Sequence, residues 1–161
     1  MIRDATVDDV PVIVSLVREL AAYEREPDAA VATEDDYRSA LFGDRPRAWC
    51  LLAEDDSGDV VGFALWFFNF STWRGRHGVY LEDLFVRPEA RGGGHGRALL
   101  AELARIAVGN DCARMEWVVL DWNESAHGFY RALGAAPMDE WTVWRLTGED
   151  LDALASGRSL R

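Results

Sequence analysis

Hydrophobic residues recur every three or four positions in four segments of the chain, and this spacing predicts helices. The longest segment runs from Thr6 to Tyr23, and the threonine at its start suits a helix cap. The others run from a second threonine cap at Thr33 to Leu41, from Arg97 to Val108, and through residues 124–133. Each segment is polar on its remaining face, so all four are expected to pack on a larger layer.

Six shorter runs are apolar throughout or alternate between apolar and polar residues, which is typical of strands. They are MIRDAT at residues 1–6, AWCLLAE at 48–54, VVGFALWFFNF at 60–70, VYLEDLFV at 79–86, ARMEWVVLD at 113–121 and WTVWRL at 141–146. The turn sequence DDSGD joins the second and third runs into an antiparallel hairpin. The resulting order, β-α-α-β-β-β-α-β-α-β, predicts a mixed α/β fold. Its central sheet is partly parallel and carries helices on both faces.

Length and composition fit one domain spanning residues 1–161, with the last six residues, SGRSLR, frayed. The net charge of −11 argues against nucleic acid and anionic membranes as partners, and no apolar run is long enough to span a bilayer. Two cysteines in apolar runs, and three histidines without ligand spacing, indicate a reduced, metal-free cytoplasmic protein. All 17 basic residues are arginines, so the lysine that a P-loop requires is missing.

A run of glycines joins the fourth predicted strand to the helix that follows it. Arg87 and Pro88 end the strand, and RGGGHG at residues 91–96 leads into the helix. Backbone N–H groups at a helix N-terminus are unpaired and attract anions, and glycines let a phosphate come close to them. The dinucleotide fingerprint G-x-G-x-x-G does not fit, because its third glycine falls on Arg97. The run therefore predicts a pyrophosphate site of another kind.

RGGGHG also fits the signature R/Q-x-x-G-x-G/A of the GNAT superfamily of N-acetyltransferases, whose loop binds the pyrophosphate of acetyl coenzyme A (acetyl-CoA). YLEDLFV, DWNESAHGFYRALGA, VWRL and ELAAYERE resemble the diamine, or spermidine/spermine, branch of that superfamily. The resemblance runs from Ile2 to Leu154. It implies a GNAT-type fold, acetyl-CoA as cosubstrate, no metal, a small cationic amine as substrate, and a homodimer.

The resemblance also implies roles for individual residues. Glu82 takes the proton of the amine, directly or through water, and Tyr130 returns a proton to the leaving thiolate. Coenzyme contacts fall on Leu84, Phe85, Val86, Arg91, Gly92, Gly93, Gly94, His95, Gly96, Arg97, Asn123, Glu124 and Ala126. Substrate contacts fall on Tyr23, Glu24, Glu82 and Trp73. Ser125 and Ala126 stand where the branch has Pro-Ser, so one hydroxyl contact is not carried over.

Two neighbouring acids in the fourth predicted strand cannot both serve one substrate if that strand is regular. Strict alternation places Glu82 and Asp83 on opposite faces. The face of Glu82 then also carries Tyr80, Leu84 and Val86. Glu82 is therefore expected to act on the amine, and Asp83 to make a structural hydrogen bond or ion pair.

The acidic composition is consistent with a cationic substrate, because residues 24–36 carry six carboxylates and one arginine. The aromatic residues Trp66, Phe68, Phe70 and Trp73 either line a wall for ammonium groups or pack within the sheet. The leading hypothesis is direct acetyl transfer, in a ternary complex, to a primary amine of a diamine or polyamine. The alternatives are thialysine or another amino acid, an aminoglycoside or peptide amine, and an acetyl-CoA sensor without turnover.

Overall fold

The computed structural model describes residues 1–158. The chain forms two compact units, Met1–Val118 and Val119–Arg161. The first unit contains a sheet and the three helices α1 (Val10–Tyr23), α2 (Glu34–Phe42) and α3 (His95–Gly109). The second contains α4 (Glu124–Ala132) and α5 (Gly148–Ala155). None of the described helices has the length and apolar character needed to cross a membrane. One domain over residues 1–161 stays a prediction.

The sheet has five strands that lie side by side in chain order. They are β1 (Ile2–Asp4), β2 (Trp49–Glu54), β3 (Val60–Ser71), β4 (Arg76–Val86) and β5 (Met115–Glu116). The first three pairs of neighbours are antiparallel, whereas β4 and β5 are parallel and α3 crosses over between them. A parallel pair requires such a crossover, so the predicted mixed α/β fold with a partly parallel sheet is confirmed.

Thr33 caps α2 as the sequence predicts, whereas Thr6 precedes a 3-10 turn and Asp9 is the N-cap of α1. Thr33 accepts a hydrogen bond from the Asp36 N–H at 3.3 Å, and the Asp36 carboxylate accepts one from the Thr33 N–H at 2.7 Å. At the first helix, the Asp9 carboxylate accepts from the Thr6 N–H at 2.7 Å, and a 3-10 turn at Val7–Asp9 leads into α1. The Asp9 carboxylate also accepts two hydrogen bonds from Arg3, both at 2.8 Å. These contacts fix where α1 and α2 begin.

The core of the first unit lies on both faces of the sheet. Helices α1 and α2 contribute Ile13, Leu16, Leu20 and Leu41, which pack with the strand residues Cys50, Leu52, Phe63 and Phe85. The neighbouring residues of β2, Leu51 and Ala53, point to the opposite face and are buried as well. Helix α3, which packs along β1 to β4, carries its own buried stripe of Leu99, Leu100, Leu103 and Ala107.

The C-terminal part departs from the prediction. β5 covers only Met115–Glu116 of the expected strand at 113–121, and residues 141–146 form no strand in the described part of the chain. An apolar alternation becomes a strand only where a neighbouring strand supplies backbone partners, and sequence alone does not show such a neighbour. Helix α5 was not predicted. Ser156 still donates to the Asp152 carbonyl, while residues 159–161 of the expected frayed end lie outside the described residues.

Candidate active site

The register between β3 and β4 shifts by one residue at Glu82. Leu65 pairs with Asp83 and Trp66 pairs with Leu81, so Glu82 has no partner on β3. Such an extra residue is a β-bulge, which interrupts the hydrogen-bond ladder, bends the strand and redirects side chains. The bulge leaves Glu82 exposed in the middle of a strand whose flanking residues are buried or half-buried.

The bulge also changes which residues of β4 share a face. Tyr80, Asp83 and Phe85 pair with β3 residues that are two positions apart, and cross-strand partners point the same way. These three residues therefore share one face, and Leu84 and Val86 lie on the other. The expectation that Tyr80 shares a face with Leu84 and Val86 is wrong, because alternation stops at the bulge.

Asp83 is mostly buried, and no hydrogen bond or ion pair to its carboxyl is found within residues 1–158. Burial, with smaller contributions from the negative charges of Glu82 and Glu24, raises the pKa of Asp83 to about 6. Burial also raises the pKa of Glu24 at the end of α1. The expectation that Asp83 makes a structural hydrogen bond or ion pair is therefore not met within residues 1–158. Glu24, Glu82 and Asp83, here called the carboxyl cluster, form a region that favours a cation.

The glycine loop, residues 91–97, has the geometry of an anion site. Gly92 and Gly94 have φ angles of 84° and 82°, which residues with a Cβ atom rarely adopt. Gly94 caps α3, which begins at His95, two residues earlier than predicted. Within the described chain, the N–H groups of residues 92–97 donate no hydrogen bond. The space beside Gly92 and Gly94 is open, because a Cβ atom added to either glycine would have no described neighbour within 4 Å. Unpaired donors beside open space fit the phosphate groups of a coenzyme.

Arg91 links this loop to two other elements. Its Nε donates to the Val86 carbonyl at 3.0 Å. Its guanidinium carbon lies 4.7 Å from the centroid of the Tyr23 ring and 5.8 Å from that of Phe85. The structure therefore brings together four residues that the sequence assigned to the coenzyme or the substrate: Tyr23, Phe85, Val86 and Arg91.

Trp73, expected at the substrate, lies in the turn between β3 and β4 and is 87% exposed. Strand β4 starts at Arg76, so its rise of roughly 3.3 Å per residue separates this turn from Glu82 by roughly 20 Å. The role of Trp73 stays a prediction.

Trp66 is buried and stacks on Trp49 with ring centroids 5.1 Å apart, and Phe68 meets Trp66 edge-on at 5.1 Å. Trp66 and Phe68 thus pack within the sheet.

The second unit presents its predicted residues on α4. Asn123 caps this helix, because its side-chain oxygen accepts a hydrogen bond from the Ala126 N–H at 3.2 Å. Glu124 follows in the first turn. Burial raises the pKa of Tyr130 to about 12, so its hydroxyl keeps its proton at neutral pH. Burial also makes this phenol a weaker acid, so its role as a proton donor stays a prediction.

Neither cysteine is suited to be a nucleophile. Burial raises the pKa of the Cys50 thiol and, to a smaller extent, that of Cys112, so both are uncharged at neutral pH. Among residues 1–158 there is no group of three or more His, Cys, Asp or Glu side chains arranged to hold a metal ion.

Sequence comparison assigns the chain to a known group. The sequence model of the Acetyltransferase (GNAT) family matches residues 13–135. The chain belongs to the GNAT family. This GNAT protein is 40% identical to the thialysine N-epsilon-acetyltransferase of Bos taurus, over 96% of each chain. It is 34% identical to an L-ornithine N5-acetyltransferase of Arabidopsis thaliana, over 95% of this chain and 86% of the relative. A spermidine/spermine N(1)-acetyltransferase-like protein of Homo sapiens is 36% identical over 93% of this chain, but over only 23% of its own length.

Comparison with solved structures supports the same family assignment. An integron cassette protein from the mobile metagenome of V. cholerae is 30% identical and superimposes with a TM-score of 0.80, over 96% of each chain. The GNAT protein is thus an N-acetyltransferase that acts on amines, and its family uses acetyl-CoA as cosubstrate. The predicted family, fold and acetyltransferase activity are confirmed.

Two features of the GNAT protein escaped the sequence analysis: the bulge at Glu82 and the carboxyl of Asp83, which is unpaired within residues 1–158. Two adjacent acids inside an apolar strand were the only signal for both. Because a regular strand turns one of two neighbours inward, Glu82-Asp83 requires either a buried charge or a break in alternation. The structure contains both.

Proposed function

We propose that this enzyme transfers the acetyl group of acetyl-CoA to the terminal primary amine of a small aliphatic cation. The supporting observation is the carboxyl cluster at the β4 bulge. Its three carboxyl groups have no cationic partner within the described chain, and such a group of acids favours an ammonium ion. The substrates in the names of the relatives, thialysine, ornithine and spermidine or spermine, all carry an amine on an aliphatic chain.

Glu82 is the proposed base. An aliphatic ammonium has a pKa near ~10 and no lone pair, so it must lose a proton before it attacks. Glu82 lies exposed at the bulge and accepts this proton directly or through one water. Acetyl-CoA supplies an activated thioester carbonyl. Transfer forms a C–N bond and breaks the C–S bond, and Tyr130 donates its proton to the departing thiolate. The nitrogen loses its second proton to solvent and Glu82 releases the proton that it accepted, while Tyr130 recovers one from solvent, so the net products are the amide, the free thiol and one proton.

The coenzyme is proposed to contact three groups of residues. The glycine loop, Arg91–Arg97, meets the pyrophosphate with its free N–H groups, and the backbone of Leu84–Val86 pairs with the pantetheine arm. Asn123, Glu124 and Ala126 meet the thiol end. A homodimer in the cytoplasm, free of nucleic acid and membrane, completes the proposal and rests on the family resemblance.

Two amines are the leading substrates. The family resemblance favours a diamine or polyamine first, and the carboxyl cluster supports a polycation. Thialysine is the second candidate, because three mammalian relatives of that name are 37% to 40% identical over 96% of both chains. A zwitterion also needs a cation for its carboxylate; of the two candidates, Arg74 lies in the turn before β4 and Arg76 begins β4, roughly 20 Å from Glu82 and farther than one amino acid spans. Arg76 is engaged with Asp111 at 3.0 Å.

Release of the coenzyme A thiol from acetyl-CoA tests this function. The panel contains putrescine, spermidine, spermine, thialysine, ornithine, an aminoglycoside and a lysine-bearing peptide. The protein has no lysine, so acetylation of its own side chains contributes no background. Glu82→Gln and Tyr130→Phe are expected to lose most of the turnover while still binding coenzyme. Glu102→Gln, a carboxylate paired with Arg105 on α3, is the matched control and should keep it.

The pattern across the panel selects the substrate. Turnover with putrescine or spermidine supports the polyamine hypothesis, and turnover with thialysine or ornithine alone replaces it with an amino acid. Coenzyme binding without turnover on any amine overturns the proposal in favour of an acetyl-CoA sensor. Full activity of Glu82→Gln overturns the role of Glu82 alone.

A further inference from the structure

Tyr23 lies where its ring touches the coenzyme side of the site. It is the last residue of α1, and the family resemblance assigns it to the substrate. In the structure the Arg91 guanidinium lies over the Tyr23 ring at 4.7 Å, within the range of a cation–π contact. Arg91 opens the glycine loop, whose free N–H groups fit a pyrophosphate. The ring of Tyr23 thus contacts an arginine of the proposed phosphate site.

The contacts of Arg91 fix its orientation and leave part of it available. Its Nε donates to the Val86 carbonyl at 3.0 Å, and its guanidinium carbon lies over the rings of Tyr23 and Phe85, 4.7 and 5.8 Å from their centroids. No hydrogen bond of its two terminal amino groups is found within the described chain. A guanidinium presents those groups as a planar fork that matches two phosphate oxygens. The side chain is otherwise exposed, so without the rings many rotamers are open to it.

We propose that Tyr23 is a positioning residue for the coenzyme, acting through Arg91 on the pyrophosphate. The inference rests on the proposed function, because it takes the glycine loop as the coenzyme's phosphate site. The aromatic face of Tyr23 performs this role, and its hydroxyl group is not needed for it. Loss of the ring therefore weakens binding of ligands that carry the pyrophosphate and spares those that lack it.

Titration calorimetry with coenzyme A tests whether loss of the Tyr23 ring weakens binding of a ligand that carries the pyrophosphate. The proteins are wild type, Tyr23→Ala, Tyr23→Phe, Arg91→Ala and the Tyr23→Ala/Arg91→Ala double variant. Tyr23→Ala should weaken binding about two- to fivefold, which is the size of an exposed cation–π contact, and Tyr23→Phe should stay near wild type. The double variant should bind no more weakly than Arg91→Ala, because Tyr23 acts through that arginine. Arg105→Ala, an exposed arginine on α3, is the matched control and should bind like wild type.

Acetylpantetheine tests whether donors without the pyrophosphate are spared, because it carries the thioester and the pantetheine arm but no phosphate. The kcat/KM of Tyr23→Ala should fall for acetyl-CoA and be unchanged for acetylpantetheine at fixed amine concentration. An equal fall with both donors overturns the inference and returns Tyr23 to the amine or the pantetheine. Additive effects in the double variant, or unchanged coenzyme affinity in Tyr23→Ala, overturn it as well. If the wild-type protein binds no coenzyme A, both the proposed function and this inference about Tyr23 fail. Melting curves of all variants exclude loss of fold as the cause.

Discussion

Replacement of Asp83 by asparagine should stabilise the protein at neutral pH. The side chain is mostly buried, has no cation beside it within the described residues, and shares its surroundings with the carboxylates of Glu82 and Glu24. Its ionised form is therefore unfavourable in the folded state. Asparagine has nearly the same shape and no charge, so Asp83→Asn removes the unfavourable charge and leaves the packing in place.

The magnitude follows from the pKa of Asp83, which is about 6 in the folded protein against an ordinary value of 3.8. The folded state binds the proton more tightly, so stability contributed by this group falls as pH rises from 3.8 through 6 and is lowest above that. At 1.36 kcal/mol per pKa unit, the full cost is about 3 kcal/mol. The gain in Asp83→Asn should therefore grow from about 0.5 kcal/mol at pH 4 to about 3 kcal/mol at pH 7.5.

Urea unfolding followed by tryptophan fluorescence at pH 4, 5, 6 and 7.5 measures this difference. Asp56→Asn, an exposed carboxylate in the turn between β2 and β3, is the control and should track wild type at every pH. A constant offset between Asp83→Asn and wild type reflects the amide itself and does not bear on the charge. A difference that does not grow between pH 4 and 7.5 would refute the reasoning, because it would mean that Asp83 ionises as easily in the folded chain as in the unfolded one.

Three further predictions concern stability and reactivity. Gly62→Ala should destabilise the protein by about 2 kcal/mol or more in urea unfolding, because a Cβ would lie 2.7 Å from the Phe85 carbonyl oxygen, a backbone atom of the adjacent strand. Asp9→Ala should cost about 1–2 kcal/mol at pH 7 in the same assay, since it removes the hydrogen bond that the Asp9 carboxylate accepts from the Thr6 N–H and two hydrogen bonds from Arg3. Hydrogen bonds from Arg3 lower the pKa of Asp9, so this cost should persist down to about pH 4 and shrink below it; a cost that is constant to pH 2 would contradict that cause. Cys50 is 5% exposed, so a disulfide reagent should modify it only after denaturation, with Cys50→Ala as reference; rapid reaction in native buffer would contradict its burial.

Local patterns determined much of this protein from the sequence alone. The capping threonine at Thr33, the helical spacing of α1 and α3, and the apolar runs of β2 to β4 each depend on residues a few positions apart, and the structure contains them all. The glycine run predicted an anion site because positive φ angles and unpaired N–H groups are also local properties. Family membership rests on the same stretches.

Tertiary structure decided what depends on residues distant in the chain. The bulge at Glu82 is defined only by its register against β3, so the two faces of β4 were assigned incorrectly from strict alternation. The lack of a partner for Asp83 within residues 1–158, and the contact of Arg91 with Tyr23, appear only once α1, β4 and the glycine loop are packed together. The segment at 141–146 carries the alternation of a strand yet forms none among the described residues. A side-chain pattern specifies which face is apolar, but the backbone partner that makes a strand, and the charge that pairs with a buried acid, come from elsewhere in the fold.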